Sequence, residues 1–221
     1  MTGTLSWLLI AALAFLATHL AASTPLRAAA VAGLGERGWL AVFSLTGIVA
    51  LVWLVLAYRA APYEGLWSPP AWAAWVPVLA MPLAFVLVVC GYLTPNPTAL
   101  MQERHLHDPD PAPGIMKVTR HPIMAGIALW ALAHLAANGD AASVILFGVF
   151  AVLSILGMKL MDWKLEARAG AAWGPLALTT SAVPFLAALQ GRARIAWRGI
   201  GWWKVAAGLG LYVLFLFGHA T

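Results

Sequence analysis

The stretch 117-KVTRHPIMAGIALWALAHLAANGD-140 decides the fold, because it places a long apolar helix directly after a basic segment. Arg120 and His121 precede Pro122, and proline suits the first position of a helix because its missing N–H would be unpaired there anyway. The apolar run that follows ends near Asp140 and contains His134. An imidazole in such a run indicates a site, because ionisable residues inside a bilayer are rare and usually face the bundle interior.

Composition shows that this helix belongs to a membrane protein. The chain has 221 residues, of which 62% are hydrophobic and only 10% charged. Soluble domains carry roughly 25% charged residues. One core cannot hide so much apolar surface from water, so the lipid bilayer is the predicted partner. The net charge of +5 does not indicate nucleic acid, because the basic residues flank apolar runs and form no separate basic domain.

Six apolar runs approach the roughly 20 residues that a helix needs to cross the hydrocarbon. They cover about 5–24, 38–58, 70–93, 122–137, 141–163 and 200–219. The predicted fold is therefore a single all-α transmembrane domain over 1–221 with about six spans. A proline-rich loop at 94–121 and a mixed segment at 164–198 interrupt the spans. The short run 176–190 contains Pro184, which favours an interfacial or re-entrant helix over a seventh span.

The distribution of lysine and arginine predicts the orientation. With six spans, twelve of these residues fall on one side of the membrane, and only Arg59 falls on the other. Cytoplasmic loops carry such an excess. The prediction is a multi-pass protein of the bacterial inner membrane, with both termini in the periplasm and the segments 94–121 and 164–198 in the cytoplasm.

Three histidines and one arginine are the candidate site residues. His19 lies in the first apolar run, and His134 lies in the fourth. A histidine from each of two helices is how bundles hold a haem iron, although a lone histidine on a helix more often bonds a backbone carbonyl. His121 and His134 are separated by about 20 Å along one helix and by about 140° around it, so they cannot bind one metal. Either of them could pair with His19.

The residues 18-THLAASTPLR-27, 33-GLGERGW-39, 94-TPNPTAL-100 and 114-GIMKVTRHPIMAGIALWALAHLAANGD-140 resemble the NnrU family, which includes relatives of the zeta-carotene isomerase of plants and cyanobacteria. The resemblance implies a membrane protein that binds haem b through His19 and His134 and isomerises a cis double bond of a lipophilic polyene. His121 and Arg120 would then hold a propionate or another anion at the cytoplasmic mouth. In denitrifying bacteria the family is associated with nitrite and nitric oxide reduction, which implies a role in nitrogen-oxide metabolism.

Two alternatives follow from the same residues. The pattern of Arg120, His121, Pro122 and Gly126 is similar to one in membrane methyltransferases that bind S-adenosylmethionine. In those enzymes acidic residues and an arginine follow downstream, which Asp162, Glu166 and Arg168 would supply here. The third hypothesis is a membrane assembly factor without a cofactor.

Overall fold

The structure, a computed structural model, describes residues 3–219, and every regular element in that range is a helix. The prediction of an all-α protein is therefore confirmed. The helices are α1 Leu5–Ala21, α2 Pro25–Ala60, α3 Trp75–Leu93, α4 Pro122–Ala137, α5 Ala141–Ala169, α6 Trp173–Thr179, α7 Leu186–Leu189, α8 Trp197–Ile200 and α9 Trp202–His219. Short 3-10 helices lie at Ala71–Ala74, Glu103–His107, Gly114–Lys117 and Gly170–Ala172.

The six long helices pack side by side in an order that differs from their order in the chain. α2 contacts α1, α1 contacts α5, α5 contacts α4, α4 contacts α3, and α3 contacts α9. The tight turns between α1 and α2 and between α4 and α5 make each of these pairs antiparallel neighbours. At the second turn the Asp140 carboxylate accepts a hydrogen bond of 2.9 Å from Ser143 N, and this cap starts α5.

Three stretches, Pro25–Ala60, Ala71–Leu93 and Ala141–Thr179, are long and apolar enough to cross a membrane. The helices Leu5–Ala21, Pro122–Ala137 and Trp202–Gly218 are equally apolar but shorter. Large apolar side chains on the outside of the bundle remain exposed, including Leu45 at 63% and Phe217 at 72%. Such an apolar exterior supports a bilayer environment. The count of six spans stays a prediction.

Two helices extend beyond their predicted boundaries. The second run was predicted to begin at residue 38, but α2 begins at Pro25 and is kinked at Gly35. Gly35 has φ 70° and ψ 169°, a left-handed conformation that glycine adopts without a steric cost. α5 continues to Ala169, past the predicted end at 163. Both extensions carry charged residues, which the positions of the apolar runs alone would assign to loops.

The run 176–190 is not one continuous helix. It is divided between α6 and α7 by irregular residues around Pro184. The irregular part pairs with the segment before α4: Arg120 N donates to Ser181 O at 2.9 Å, and Phe185 N donates to Val118 O at 2.8 Å. This pairing holds the segment against the end of the bundle where α4 begins. Its position at the membrane surface stays a prediction, as do the boundaries of the cytoplasmic segments 94–121 and 164–198.

The two ends of the bundle differ in charge. At one end, where α2 ends and α5 begins, Leu66 N donates to Gly139 O at 2.7 Å and the Tyr58 hydroxyl lies 3.2 Å from Ser143 Oγ. At the opposite end Arg120 binds Asp162 and Arg168 binds Glu103. This second end is called the basic end below. The structure shows that the basic residues cluster there, while its assignment to the cytoplasm, with both termini in the periplasm, stays a prediction.

Candidate functional site

A charged cluster of Arg120, His121 and Asp162 lies at the basic end. Arg120 approaches the Asp162 carboxylate with Nε at 3.0 Å from each oxygen and with Nη2 at 2.6 Å from Oδ2. His121 Nε2 lies 2.7 Å from Oδ1 of the same carboxylate. An ionised carboxylate only accepts hydrogen bonds, so His121 carries its proton on Nε2. One acidic side chain on α5 therefore holds the two residues that precede α4.

The cluster is enclosed by protein. His121 is 1% exposed, and the Arg120 guanidinium lies 5.5 Å from the centre of the Trp173 ring. Thr119 Oγ1 donates to Ala182 O at 2.9 Å and accepts from His121 N at 3.2 Å, which ties the start of α4 to the irregular segment. Bidentate contact with a carboxylate suits the planar guanidinium. Together these contacts form a closed, hydrogen-bonded cluster.

Burial sets the protonation state of His121, which precedes the α4 span. It lowers the pKa of His121 more than the neighbouring Asp162 carboxylate raises it. His121 Nδ1 is buried and has no hydrogen-bond partner within the described residues. A second proton there would be an unpaired buried donor, so the neutral ring is favoured. The anion that Arg120 and His121 hold in this structure is the carboxylate of Asp162. Their predicted role as binders of a propionate would require that carboxylate to be displaced.

A separate cavity of about 760 Å³ opens between α1, α2, α4 and α5. Its body is apolar and its mouth, at the basic end, is charged. The apolar lining includes Phe15, Leu20, Trp39, Leu40, Phe43, Met124, Ile127, Phe150 and Leu153. The charged lining consists of Arg27, Glu36, Arg37, Glu103, Arg104, Lys164 and Arg168. Pockets for small ligands have volumes of roughly 300–1,000 Å³ and mostly apolar walls, so this cavity has the size and lining of a ligand site.

His19 is the histidine that lines this cavity. Its Nδ1 lies 2.8 Å from Phe15 O on the preceding turn of α1, and its ring lies 4.3 Å from the Phe15 ring. A carbonyl oxygen only accepts, so Nδ1 donates and Nε2 carries the lone pair of the neutral ring. Histidines that bind metals are commonly oriented by such a bond from their other nitrogen. Gly47 of α2 leaves space beside Nε2, since a Cβ there would stand 4.0 Å from that atom.

His134 lies elsewhere. Its Nδ1 is 2.8 Å from Trp130 O, and its ring stacks on Phe147 at 4.9 Å. It does not line the cavity that contains His19. Ile127, which does line that cavity, is about two helical turns before His134, or roughly 10 Å along α4. The structure therefore brings Arg120 and His121 together but leaves His19 and His134 at different depths.

The aromatic rings between the two histidines test the predicted haem pairing. The ring centres of Phe15 and Phe150 are 5.1 Å apart, and those of Phe150 and Trp130 are 5.2 Å apart. The ring centre of Trp130 lies 5.6 Å from that of His134. Two axial ligands of one iron require imidazole nitrogens about 4 Å apart. In this arrangement His19 lines the cavity and His134 does not, and their pairing on one iron stays a prediction. His19 donates from Nδ1 to Phe15 O and lines the apolar cavity, so a neutral imidazole there would offer Nε2 to an iron.

Sequence reasoning gave little weight to the residues that complete both sites. Asp162 was considered only as a downstream acidic residue of the methyltransferase hypothesis, yet it binds both Arg120 and His121. The charged mouth of the cavity was not predicted at all. One signal was present: Lys164 and Arg168 are four residues apart, which places them on one face of a helix. Their connection with Arg27 and Glu36 required the α2 extension, which the apolar runs do not reveal.

Comparisons with known proteins agree with the resemblance seen in the sequence. A family model described as "NnrU protein" matches residues 7–221. The 15-cis-zeta-carotene isomerase, chloroplastic, of Zea mays is 35% identical over 82 residues, which are 37% of this chain and 22% of that relative. The matched stretch thus spans about a fifth of the length of the relative. No solved structure matches the chain.

Proposed function

The chain belongs to the NnrU family, and we propose that it is a membrane-embedded isomerase that binds a lipophilic polyene in the cavity beside His19. The observation that carries this proposal is the cavity itself, with its apolar and aromatic walls between four membrane helices. The similarity to a plant carotene isomerase gives the substrate class. A conjugated hydrocarbon partitions into the bilayer, so its binding site belongs among the membrane helices.

The walls of the cavity suit an extended conjugated chain. Phe15 and Phe43 flank His19 with ring centres at 4.3 and 6.0 Å, and Phe150 adds a third ring 5.1 Å from Phe15. Flat aromatic faces pack on a planar polyene and fix which double bond lies beside the imidazole. Rotation about a double bond requires its bond order to fall briefly. The apolar body of the cavity keeps water away from such a reactive state.

We further propose that haem b binds at this cavity with His19 as an iron ligand. The fit of His19 supports this, and the family resemblance implies it. When bound, haem would supply a redox-active iron next to the polyene. His134 remains the second proposed ligand, and pairing it with His19 would require the Phe15 and Phe150 rings to move.

A cavity-filling substitution tests the isomerase proposal. Ile127→Trp places an indole in the cavity, and we expect it to reduce isomerisation of a 15-cis carotene by at least about tenfold, as measured by chromatography of the isomers. The purified full-length chain, with whatever cofactor it retains, is the enzyme in this assay. Leu132→Trp on the same helix is the control, because Leu132 is 49% exposed on the outer face. An active Ile127→Trp variant with a normal product spectrum would contradict the assignment of the cavity.

The optical spectrum of the purified protein tests haem separately. We expect a Soret band that His19→Ala abolishes. If His134→Ala also abolishes it while both variants remain folded, the two histidines share an iron and the helices rearrange around it. A colourless wild-type protein, even after incubation with haemin, would refute the haem proposal without bearing on the polyene cavity.

The basic end supports a proposed location in the bacterial inner membrane, with this end in the cytoplasm and both termini in the periplasm. Reporter fusions at the two termini would test it. The methyltransferase alternative has less support, because Arg120 and His121 already bind Asp162. A role in nitrogen-oxide metabolism and the assembly-factor alternative rest on family membership or composition, and no particular contact in the structure favours either.

A further inference from the structure

The mouth of the cavity carries more positive charge than its own carboxylates neutralise. Five cationic side chains line it, against two carboxylates, those of Glu36 and Glu103. Each carboxylate is already engaged: Arg27 Nη2 lies 2.9 Å from Glu36 Oε2, and Arg168 Nη1 lies 2.9 Å from Glu103 Oε1. The remaining cations are Arg37, Arg104 and Lys164. Of these three, Arg37 and Arg104 are exposed to solvent and Lys164 is partly buried.

Lys164 is the central member of this group. It is partly buried; Arg168 and Arg27 act on it as like charges, and Glu103, which is already paired with Arg168, acts on it as an opposite charge. The oxygen nearest its Nζ among the described hydrogen bonds is the carbonyl of Ala22, at 3.5 Å. A backbone carbonyl at that distance is a weak partner for an ammonium group, which can donate three hydrogen bonds. Lys164 thus has donor capacity that an anion at the mouth would use.

The charged mouth and the apolar body belong to one continuous cavity. Lys164 and Arg168 lie on the same helix as Leu153, Gly157 and Leu160, which line the wall further in. Along α5, Lys164 and Leu153 are eleven residues apart, which is about 16 Å of helix rise. A long apolar chain in the body would therefore place its terminal group among the cations. The long apolar body of the cavity and the positive charge of its mouth therefore both favour a long apolar molecule with an anionic end.

We propose that this cavity also binds an anionic amphiphile, a long apolar chain that ends in a carboxylate or phosphate group held by Lys164, Arg37 and Arg104. The proposal rests on the proposed function in that the apolar body of the same cavity binds the polyene. It adds a second ligand, which occupies the cavity when the neutral polyene is absent and carries an acidic end. Charge pairing with the partly buried Lys164 and the exposed Arg37 and Arg104 would fix the orientation of the chain and thus its depth in the cavity.

Binding of cis-parinaric acid tests the proposal, because energy transfer from the protein's tryptophans to this conjugated tetraene fatty acid reports binding, once the signal from protein-free nanodiscs is subtracted. Its methyl ester is the matched neutral ligand. With the full-length protein in phosphatidylcholine nanodiscs, we expect the acid to bind about tenfold more tightly than the ester. The difference should shrink as salt is raised, because ions screen the charges at the open mouth. Equal affinity for acid and ester would overturn the anionic requirement but leave an apolar polyene site intact.

Two lysines on α5 provide the matched variants. Lys164→Gln should weaken binding of the acid about five- to tenfold and leave the ester unchanged. Lys159→Gln should change neither, because Lys159 lies over the Trp163 ring and does not line the cavity. Equal losses in both variants would overturn the proposal, since they would indicate attraction by total charge and not by the mouth. Failure of both ligands to bind the wild-type protein would overturn it together with the proposed function.

The source of the acidic group is distinguished by competition. Nanodiscs that contain phosphatidylglycerol should displace parinaric acid if a membrane phospholipid supplies the phosphate. If phosphatidylglycerol does not compete, while oleic acid does, a free carboxylic acid is the ligand. Both results support an anionic amphiphile. Competition by neutral oleyl alcohol equal to that of oleic acid would contradict it.

Discussion

The Arg120–His121–Asp162 cluster and the His19 cavity lie at the same end of the bundle, yet they differ in whether their charged groups have partners. In the cluster, one carboxylate binds an arginine and a histidine at 2.6–3.0 Å, and the histidine is 1% exposed. In the cavity, His19 binds only a backbone carbonyl through Nδ1, and three cations lack carboxylate partners. The contacts within the cluster hold α5 against the start of α4, whereas the polar groups that line the cavity are available to bind a ligand.

Substitution of Asp162 has the largest expected effect. Asp162→Asn removes the negative charge that compensates Arg120 and orients His121. The side chain of Arg120 is 16% exposed and that of His121 is 0% exposed. Breaking a buried ion pair on one side costs about 3–5 kcal/mol, so the melting temperature in mild detergent should fall sharply. Glu103→Gln is the control because its partner Arg168 is 40% exposed, and loss of such a pair costs at most about 1 kcal/mol. An equal fall in melting temperature for the two variants would contradict the proposed difference between the buried cluster and the cavity mouth.

The pH dependence of stability tests the same cluster more finely. The folded state lowers the pKa of His121, so below the ordinary pKa of about 6.5 the unfolded chain takes up a proton that the folded chain resists. Stability should therefore fall as the pH decreases from 7 toward 5, by up to about 1.4 kcal/mol per pH unit from this residue. His121→Gln should flatten that slope in thermal unfolding curves. A variant with the wild-type slope would show that other groups set it.

Removal of His19 has the smallest expected effect on stability, and it measures how much a cavity residue contributes compared with a residue of the cluster. His19→Ala loses the ring contacts with Phe15 and Phe43 but leaves no buried charge behind. A cost of about 1 kcal/mol is expected, with the fold preserved. Thermal unfolding of ligand-free protein checks this value. A loss as large as that of Asp162→Asn would mean that His19 is a structural residue after all.

The helices were largely predictable because their signals are local. Runs of apolar residues predicted all six long helices, and Pro122 indicated where α4 begins. Backbone hydrogen bonds in a helix join residues four apart, so a short window of sequence contains the required information. The start of α2 was misplaced because residues 25–37 are too polar to read as a membrane span, although they are helical.

Partners between helices were less predictable for a physical reason. Asp162 and Arg120 are 42 residues apart, and their contact depends on the axial register of α4 against α5. The same register places His134 beside Phe147 and His19 in another layer of the bundle. Side chains on neighbouring helices meet only when depth and rotation both agree, and neither is encoded in one helix alone.

The sequence by itself determined an all-helical, apolar chain of the NnrU family with its basic residues concentrated between the apolar runs. Composition and local periodicity suffice for that, because lipid requires every backbone group to be paired within helices. Only the tertiary structure decided that Asp162 closes the site of Arg120 and His121 and that His19 faces an open cavity. Those outcomes depend on packing between helices distant in the chain, where a shift of one turn exchanges one set of neighbours for another.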